Sequence, residues 1–168
     1  MLPARILIAT DGSESAIAAE AYAAELAAAI PGARLVVMSV IEEEQRLRDP
    51  FEPDDQSGMR AVVEAAEARI RALLGSRPVP VETRLAMAAS PEEIAVDEAL
   101  REKGVATTIT VPLAPSPAAA ILAEANAGDL CQIVLGHRDH GGLERGRLGP
   151  VSSQVVREAR CPVTVVRA

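Results

Sequence analysis

Short apolar runs alternate with helical patterns along the chain. The apolar runs occupy residues 5–10, 33–41, 79–87, 105–111, 130–136 and 161–168. The first run, RILIAT, is apolar at consecutive positions, which is typical of a strand covered on both faces. Strands that alternate with helices indicate an α/β fold built on a parallel sheet. We therefore predict an open parallel sheet with helices on both of its faces.

Serines mark the starts of three predicted helices. Ser13 precedes an alanine-rich helix and is expected to cap it. Ser90 and Glu93 have the spacing of a capping box, in which each residue satisfies a backbone N–H of the other. Ser116 stands in the same position before the next helix. Between the second strand and its helix, residues 42–56 are charged and are expected to form an exposed loop.

Composition limits the class of protein. The 168 residues are 49% hydrophobic but only 1% aromatic, so aliphatic side chains must fill the interior. This length fits one domain, and we predict a single α/β domain over residues 1–168. The net charge of −7 and the scarcity of aromatics argue against binding to nucleic acid, which requires basic and stacking surfaces.

Neither a membrane span nor a signal peptide is expected. No run of about 18 apolar residues occurs, which is the length that crosses a bilayer. The N-terminus MLPARILIATDGS lacks the long apolar stretch and cleavage site of a signal peptide. We therefore expect a cytoplasmic protein without a membrane partner.

The cysteines and histidines do not form a metal motif. Cys131 and Cys161 lie inside apolar runs and are expected to be small buried hydrophobes. His137 and His140 leave alternatives open, because they could be solvated loop side chains, phosphate contacts or metal ligands. No metal site is predicted.

A glycine-rich stretch, LGHRDHGGLERGRLGPVSSQVV, follows the apolar run 130–136. Glycines at this density after a strand are typical of a loop whose backbone amides surround a phosphate. Asp139 lies in the middle of the loop, and Pro150 follows its last glycine. The stretch therefore has the architecture of a phosphate-binding loop with two unfavourable residues.

Four features in this order resemble the universal stress protein family. They are a first strand ending in ATDGS, a glycine loop after the penultimate strand, a closing helix and a final CPVTVV strand. The resemblance covers residues 3–41 and 104–168 and is loose between them. It implies a sheet of five parallel strands in the order 3-2-1-4-5. We place the strand-helix unit 79–103 as an extra unit at the edge next to the third strand.

The resemblance also implies a nucleotide site at the carboxyl ends of the strands. Asp11 has suitable chemistry, since its carboxylate can accept a hydrogen bond from ribose or adenine, although it could equally begin the helix. Ala9, Thr10 and Val40 complete the adenosine end. The candidate binding residues as a whole are Ala9, Thr10, Asp11, Val40, Leu135, Gly136, Arg138, Gly149, Val151 and Ser152.

The phosphate end departs from the pattern of the family's ATP-binding members. Gly136 and Gly149 keep the expected spacing, but Asp139 replaces the middle glycine and Pro150 replaces the closing serine or threonine. Charge repulsion and lost donors together are expected to weaken ATP binding ~10²- to 10⁴-fold. Compensating groups are available from basic and hydroxyl side chains, namely Arg138, His140, Arg145, Arg147, Ser152 and Ser153. ATP is thus the candidate cofactor, with weak or lost binding.

We expect a stress-response binding module rather than an enzyme, because no arrangement typical of nucleophilic catalysis occurs. The alternative is an ATP-binding protein that hydrolyses ATP slowly. The apolar closing strand would lie at a sheet edge with unpaired backbone groups. Family members commonly pair this edge, so we expect a homodimer through residues 163–167.

Overall fold

The computed structural model describes residues 5–42, 55–105, 111–128, 132–137 and 148–168. Helices and strands alternate along these residues, as the apolar runs predict. In chain order they are β1 (Arg5–Ala9), α1 (Glu14–Ala29), β2 (Arg34–Ile41), α2 (Asp55–Leu74), β3 (Val81–Ala88), α3 (Pro91–Glu102), β4 (Leu113–Ala114), α4 (Pro117–Asn126), β5 (Gln132–Gly136), α5 (Pro150–Glu158) and β6 (Val163–Val166).

The described strands form one parallel sheet in the order β4-β3-β2-β1-β5-β6. The α/β class and the parallel sheet are confirmed, but the sheet has six strands rather than five. The predicted position of the extra unit 79–103 is wrong, because its strand is β3 itself, which pairs directly with β2. The strand at this edge of the sheet is instead the two-residue β4, which pairs with β3. Seven residues of β3 pair with β2, and they bury more surface there than the two residues of β4 could, which explains why β3 takes the inner position.

The predicted strand at 105–111 is not seen where its residues are described. Val105 and Val111 lie outside any strand, and residues 106–110 lie outside the described part of the chain. The strand pairing at this edge begins only at Leu113, after Pro112, which cannot donate a ladder hydrogen bond.

Helices cover both faces of the sheet. Helices α1 and α2 pack on one face, around Ile6, Ile8 and Ile70, and α4 and α5 pack on the other, around Leu7 and Ile121. The side chains of β1 are fully buried from Ile6 to Ile8, so alternate residues of this strand enter opposite halves of the core. This arrangement fits the consecutive apolar residues of its sequence.

The predicted helix caps are confirmed. The Ser13 hydroxyl accepts a hydrogen bond from the Ala16 N–H at 3.3 Å, and Ser116 caps α4 in the same way. At α3 both halves of the capping box are present, since Ser90 and Glu93 each accept from the backbone N–H of the other. Local chemistry alone sets these three helix starts.

The cysteine and histidine predictions have mixed outcomes. Cys161 is half-buried rather than buried, and Cys131 lies outside the described residues. His137 is buried, with its backbone N–H donated to the Val166 carbonyl at 2.7 Å, so it is not a solvated loop residue. His140 lies outside the described residues. Within the described ranges, no group of His, Cys, Asp and Glu side chains could hold a metal ion.

Candidate functional site

Three neighbouring strands end together at the carboxyl edge of the sheet. The register pairs Ala9 with Met38 on one side and with Leu135 on the other. All three side chains belong to the half of the core that faces α4 and α5. Side by side, they form an apolar floor where the chain passes from β1 to β2 on one side and from β5 to β6 on the other, which is where open α/β sheets bind ligands.

A cavity of about 110 Å³, open to solvent, lies on this floor. We call it the Thr10 cavity. It is lined by Ala9, Thr10, Asp11, Ser13, Ser15, Ala16, Met38, Val40, Glu42, Pro117, Ile121, Leu135, Gly136, Val151 and Ser152.

Most of the candidate binding residues meet in this one cavity. Eight of the nine that the structure describes line it, namely Ala9, Thr10, Asp11, Val40, Leu135, Gly136, Val151 and Ser152. Gly149 lies in an adjoining cavity instead. Arg138, Asp139, His140, Arg145 and Arg147 lie outside the described residues. The structure brings the candidates together, while their contacts with a ligand stay a prediction.

Thr10 is held in place by hydrogen bonds within the protein. Its hydroxyl donates to Glu20 Oε1 at 2.7 Å, its N–H donates to the Met38 carbonyl, and its carbonyl accepts from the Ser39 hydroxyl. Since the hydroxyl proton and both backbone groups are committed, Thr10 shapes the cavity wall and has no donor left to offer a ligand.

Glu20 is 1% exposed and is paired with Arg69 of α2. Arg69 Nε lies 2.7 Å from Glu20 Oε2, and Arg69 donates a second hydrogen bond to Oε1 at 3.0 Å. Hydrogen bonding to Glu20 raises the pKa of the Arg69 guanidinium, because it stabilises the charged form. This ion pair connects α2, through Glu20, to the wall of the Thr10 cavity.

Asp11 begins the turn into α1. Its Oδ1 accepts a hydrogen bond from the Ser13 N–H at 2.9 Å, as an Asx turn requires. Gly12 follows with φ of +78°, a conformation that glycine adopts without strain. The helix-start interpretation of Asp11 is therefore confirmed. Because the side chain is also exposed at the rim of the cavity, its carboxylate places negative charge there.

Gly136 is explained by packing. A Cβ added to this residue would lie 2.6 Å from the Ala16 nitrogen and the Ser15 carbonyl carbon, and 2.7 Å from the Ser15 oxygen. All three are backbone atoms at the start of α1, which cannot rotate away as a side chain can. Only glycine lets α1 approach the end of β5 this closely, whether or not a phosphate is bound.

The N-terminus of α5 closes the other end of the site. Gly149 is its N-cap, with φ of −61°, and no side chain caps it. Pro150 takes the first helical position and has no N–H. The Ser153 hydroxyl donates to the Leu148 carbonyl at 3.2 Å, and the Ser152 hydroxyl faces the Gly136 carbonyl at 3.5 Å. The two serines expected to compensate for Pro150 thus direct their hydroxyl protons to the backbone.

A second cavity, of about 300 Å³, adjoins this N-terminus. We call it the Pro150 cavity. It is lined by Glu42, Ser116, Pro117, Ala118, Gly149, Pro150, Val151, Ser152 and Gln154. Four of these residues, Glu42, Pro117, Val151 and Ser152, line the Thr10 cavity as well. They form the boundary between the two cavities.

Sequence reasoning missed three charged residues of this region. Glu42 follows β2 as Asp11 follows β1, and the rule that ligands bind beyond the carboxyl ends of strands could have found it. The only sequence feature that could have indicated Glu20 is its position as a carboxylate among the alanines of a buried helix face. Arg69 had none, because 49 residues separate it from Glu20.

An open parallel α/β sheet with a cavity at its carboxyl edge defines a broad class of ligand-binding domains. The model of the universal stress protein family matches residues 4–167, and the chain belongs to this family. A search of curated proteins gave no match. No helix among the described residues is long and apolar enough to span a membrane.

Solved structures of universal stress proteins share the fold. One from Archaeoglobus fulgidus has a TM-score of 0.66 at 18% identity, with 99% of each chain covered. The structure of the Archaeoglobus fulgidus protein in complex with dAMP has a TM-score of 0.63 at 20% identity, again with 99% of each chain covered. A universal stress protein in complex with cAMP has a TM-score of 0.63 at 20% identity, with 99% of this chain and 98% of that one covered.

Proposed function

We propose that this universal stress protein is a binding module for an adenine nucleotide, held with its nucleoside end in the Thr10 cavity. The observation that carries the proposal is the apolar floor formed by Ala9, Met38 and Leu135 at the carboxyl edge of the sheet. Two structures of the same fold, in complex with cAMP and with dAMP, support a nucleotide as the ligand class.

The polarity of the cavity suits a nucleoside. The floor presents apolar side chains to a flat base, and Val40 and Ile121 extend this surface. At the rim, the Asp11 carboxylate can accept a hydrogen bond from a ribose hydroxyl. A pocket that is mainly apolar with a few polar groups at its edge is typical of small-molecule sites. ATP itself is proposed to bind weakly or not at all, since Pro150 supplies no N–H.

Calorimetric titration with AMP tests the proposal. Wild-type protein is expected to bind AMP saturably, and Ala9→Leu, which fills the cavity floor, is expected to weaken binding at least about tenfold. Ala72→Leu makes the same change on the exposed face of α2 and should leave the affinity unchanged. Equal affinities for Ala9→Leu and wild type, at unchanged melting temperature, would rule out this cavity as the site.

We further propose that the module binds without catalysis. The support is that the hydroxyl protons of Thr10 and Ser153 are already donated to other protein groups, so neither is available to a reacting ligand. Incubation with ATP and magnesium should release phosphate no faster than buffer alone. Release that is lost in Ala9→Leu but kept in Ala72→Leu would overturn the non-catalytic role.

The working form is proposed to be a homodimer joined through β6. This strand ends the sheet, and its four residues, Val163–Val166, are each half-buried in the isolated chain. Edge strands with such apolar, β-branched side chains are suited to pairing with a two-fold mate.

We also propose that residues 1–168 form a single domain and that the protein is located in the cytoplasm.

A further inference from the structure

Glu42 stands where the two cavities meet. It is the first residue after β2, it is half-buried, and it lines both the Thr10 cavity and the Pro150 cavity. Phosphates that extend from a nucleoside in the Thr10 cavity toward the N-terminus of α5 pass this boundary. Glu42 therefore places a carboxylate beside the path of the phosphates.

Among the described residues, the two helix starts at the Pro150 cavity offer few N–H donors to an anion. Two helices begin there, but proline occupies the first position of each, Pro117 in α4 and Pro150 in α5. Each proline removes an N–H that a helix start otherwise offers to an anion. The Ser152 hydroxyl, which lines this cavity, donates to the Gly136 carbonyl at 3.5 Å.

We propose that Glu42 is a charge-selecting residue, which makes the Thr10 cavity a site for nucleosides and disfavours nucleoside triphosphates. This inference rests on the proposed function. Asp11, at the rim of the same cavity, adds a second negative charge. Repulsion by these carboxylates grows with the number of ligand phosphates and is absent for an uncharged nucleoside. The site therefore discriminates by phosphate charge while the apolar floor holds the base.

The experiment measures dissociation constants for adenosine and for ATP. Wild-type protein should bind adenosine at least about tenfold more tightly than ATP. Glu42→Gln should raise ATP affinity about tenfold and change adenosine affinity by less than about twofold. Glu25→Gln removes the same charge from an exposed position on α1, outside both cavities, and should reproduce the wild-type ratio. Melting temperatures establish that each variant is folded.

Salt and a second variant give independent readouts. Added salt screens charge repulsion, so it should bring the dissociation constants of the wild type for adenosine and for ATP closer together. The same addition of salt should change these two constants less in Glu42→Gln. Pro150→Ser restores an N–H and a hydroxyl, and should also raise ATP affinity. If both proteins bind adenosine and the ratio of the dissociation constants for ATP and adenosine is the same in wild type and Glu42→Gln, the role of Glu42 is overturned and the proposed function stands. No adenosine binding to wild type would overturn both this inference and the proposed function.

Discussion

Gly136 at the end of β5 lies so close to α1 that an added Cβ would be 2.6 Å from the Ala16 backbone nitrogen. This glycine is also the first of the phosphate-loop pattern, so the same residue has two explanations. The short distance to Ala16 means that packing alone is sufficient to explain this glycine. Retention of Gly136 is therefore no argument that the loop binds phosphate.

Gly136→Ala should destabilise the protein by about 1–3 kcal/mol in the absence of any nucleotide, because α1 must shift to admit the methyl group. Chemical denaturation measures the change. Gly58→Ala is the matched control: Gly58 is exposed in α2, and an added Cβ would meet nothing within 4 Å. That variant should be neutral or more stable by up to about 1 kcal/mol. Equal stability of Gly136→Ala and wild type would contradict the packing argument.

Arg69→Met should lower the free energy of unfolding by about 2–3 kcal/mol, because it leaves the buried Glu20 carboxylate without its cation. The value is below that of a fully buried pair, since Arg69 is 35% exposed and solvent screens part of the interaction. Arg71→Met breaks the exposed pair with Glu67 on the same helix and should cost at most about 0.5 kcal/mol. Urea denaturation of the two variants should therefore separate them clearly, and similar losses would refute the coupling of α2 to Glu20.

Ser90→Ala should destabilise the protein by about 1 kcal/mol, because the Glu93 N–H loses its capping acceptor. Ser90→Asp keeps an acceptor at the N-cap and should restore most of the lost stability. Thermal unfolding of the three proteins measures the effect. If Ser90→Asp were as unstable as Ser90→Ala, the loss could not be attributed to the cap.

Val165→Pro should abolish the proposed dimer and leave the monomer folded. The carbonyls of Pro162 and Val166 accept from β5, so the alternating groups of Val163 and Val165 point to the open side of β6. Proline at 165 removes an outward N–H and keeps the ladder to β5. Val165→Thr retains the N–H and should remain dimeric.

Sedimentation velocity at tens of micromolar distinguishes these outcomes. A wild-type monomer, or a Val165→Pro dimer of unchanged strength, would count against pairing through β6. Near-ultraviolet or far-ultraviolet circular dichroism of the proline variant shows whether its monomer is folded. An unfolded variant would mean that the ladder to β5, rather than the outer edge, was lost.

Much of the fold could be read from the sequence because its causes are local. The consecutive apolar residues of β1 predict a strand buried on both faces, and Ile6, Leu7 and Ile8 are fully buried. The caps at Ser13 and Ser90 depend on residues within one helical turn, so their spacing alone identifies them. The family resemblance of ATDGS, with which the carboxyl-end rule agrees, likewise pointed to Thr10 and Asp11, and both line the cavity.

Only the tertiary structure decided the contacts between residues distant in the chain. The pairing of β3 with β2, the ion pair of Glu20 with Arg69 and the place of Glu42 at the cavity boundary depend on how helices and strands pack. No periodicity or spacing encodes them, because each arises when segments tens of residues apart are brought to one point. Gly136 illustrates both contributions. The sequence shows that this position is a glycine, and only the tertiary structure, which brings Ala16 close to it, explains why a larger residue would not fit.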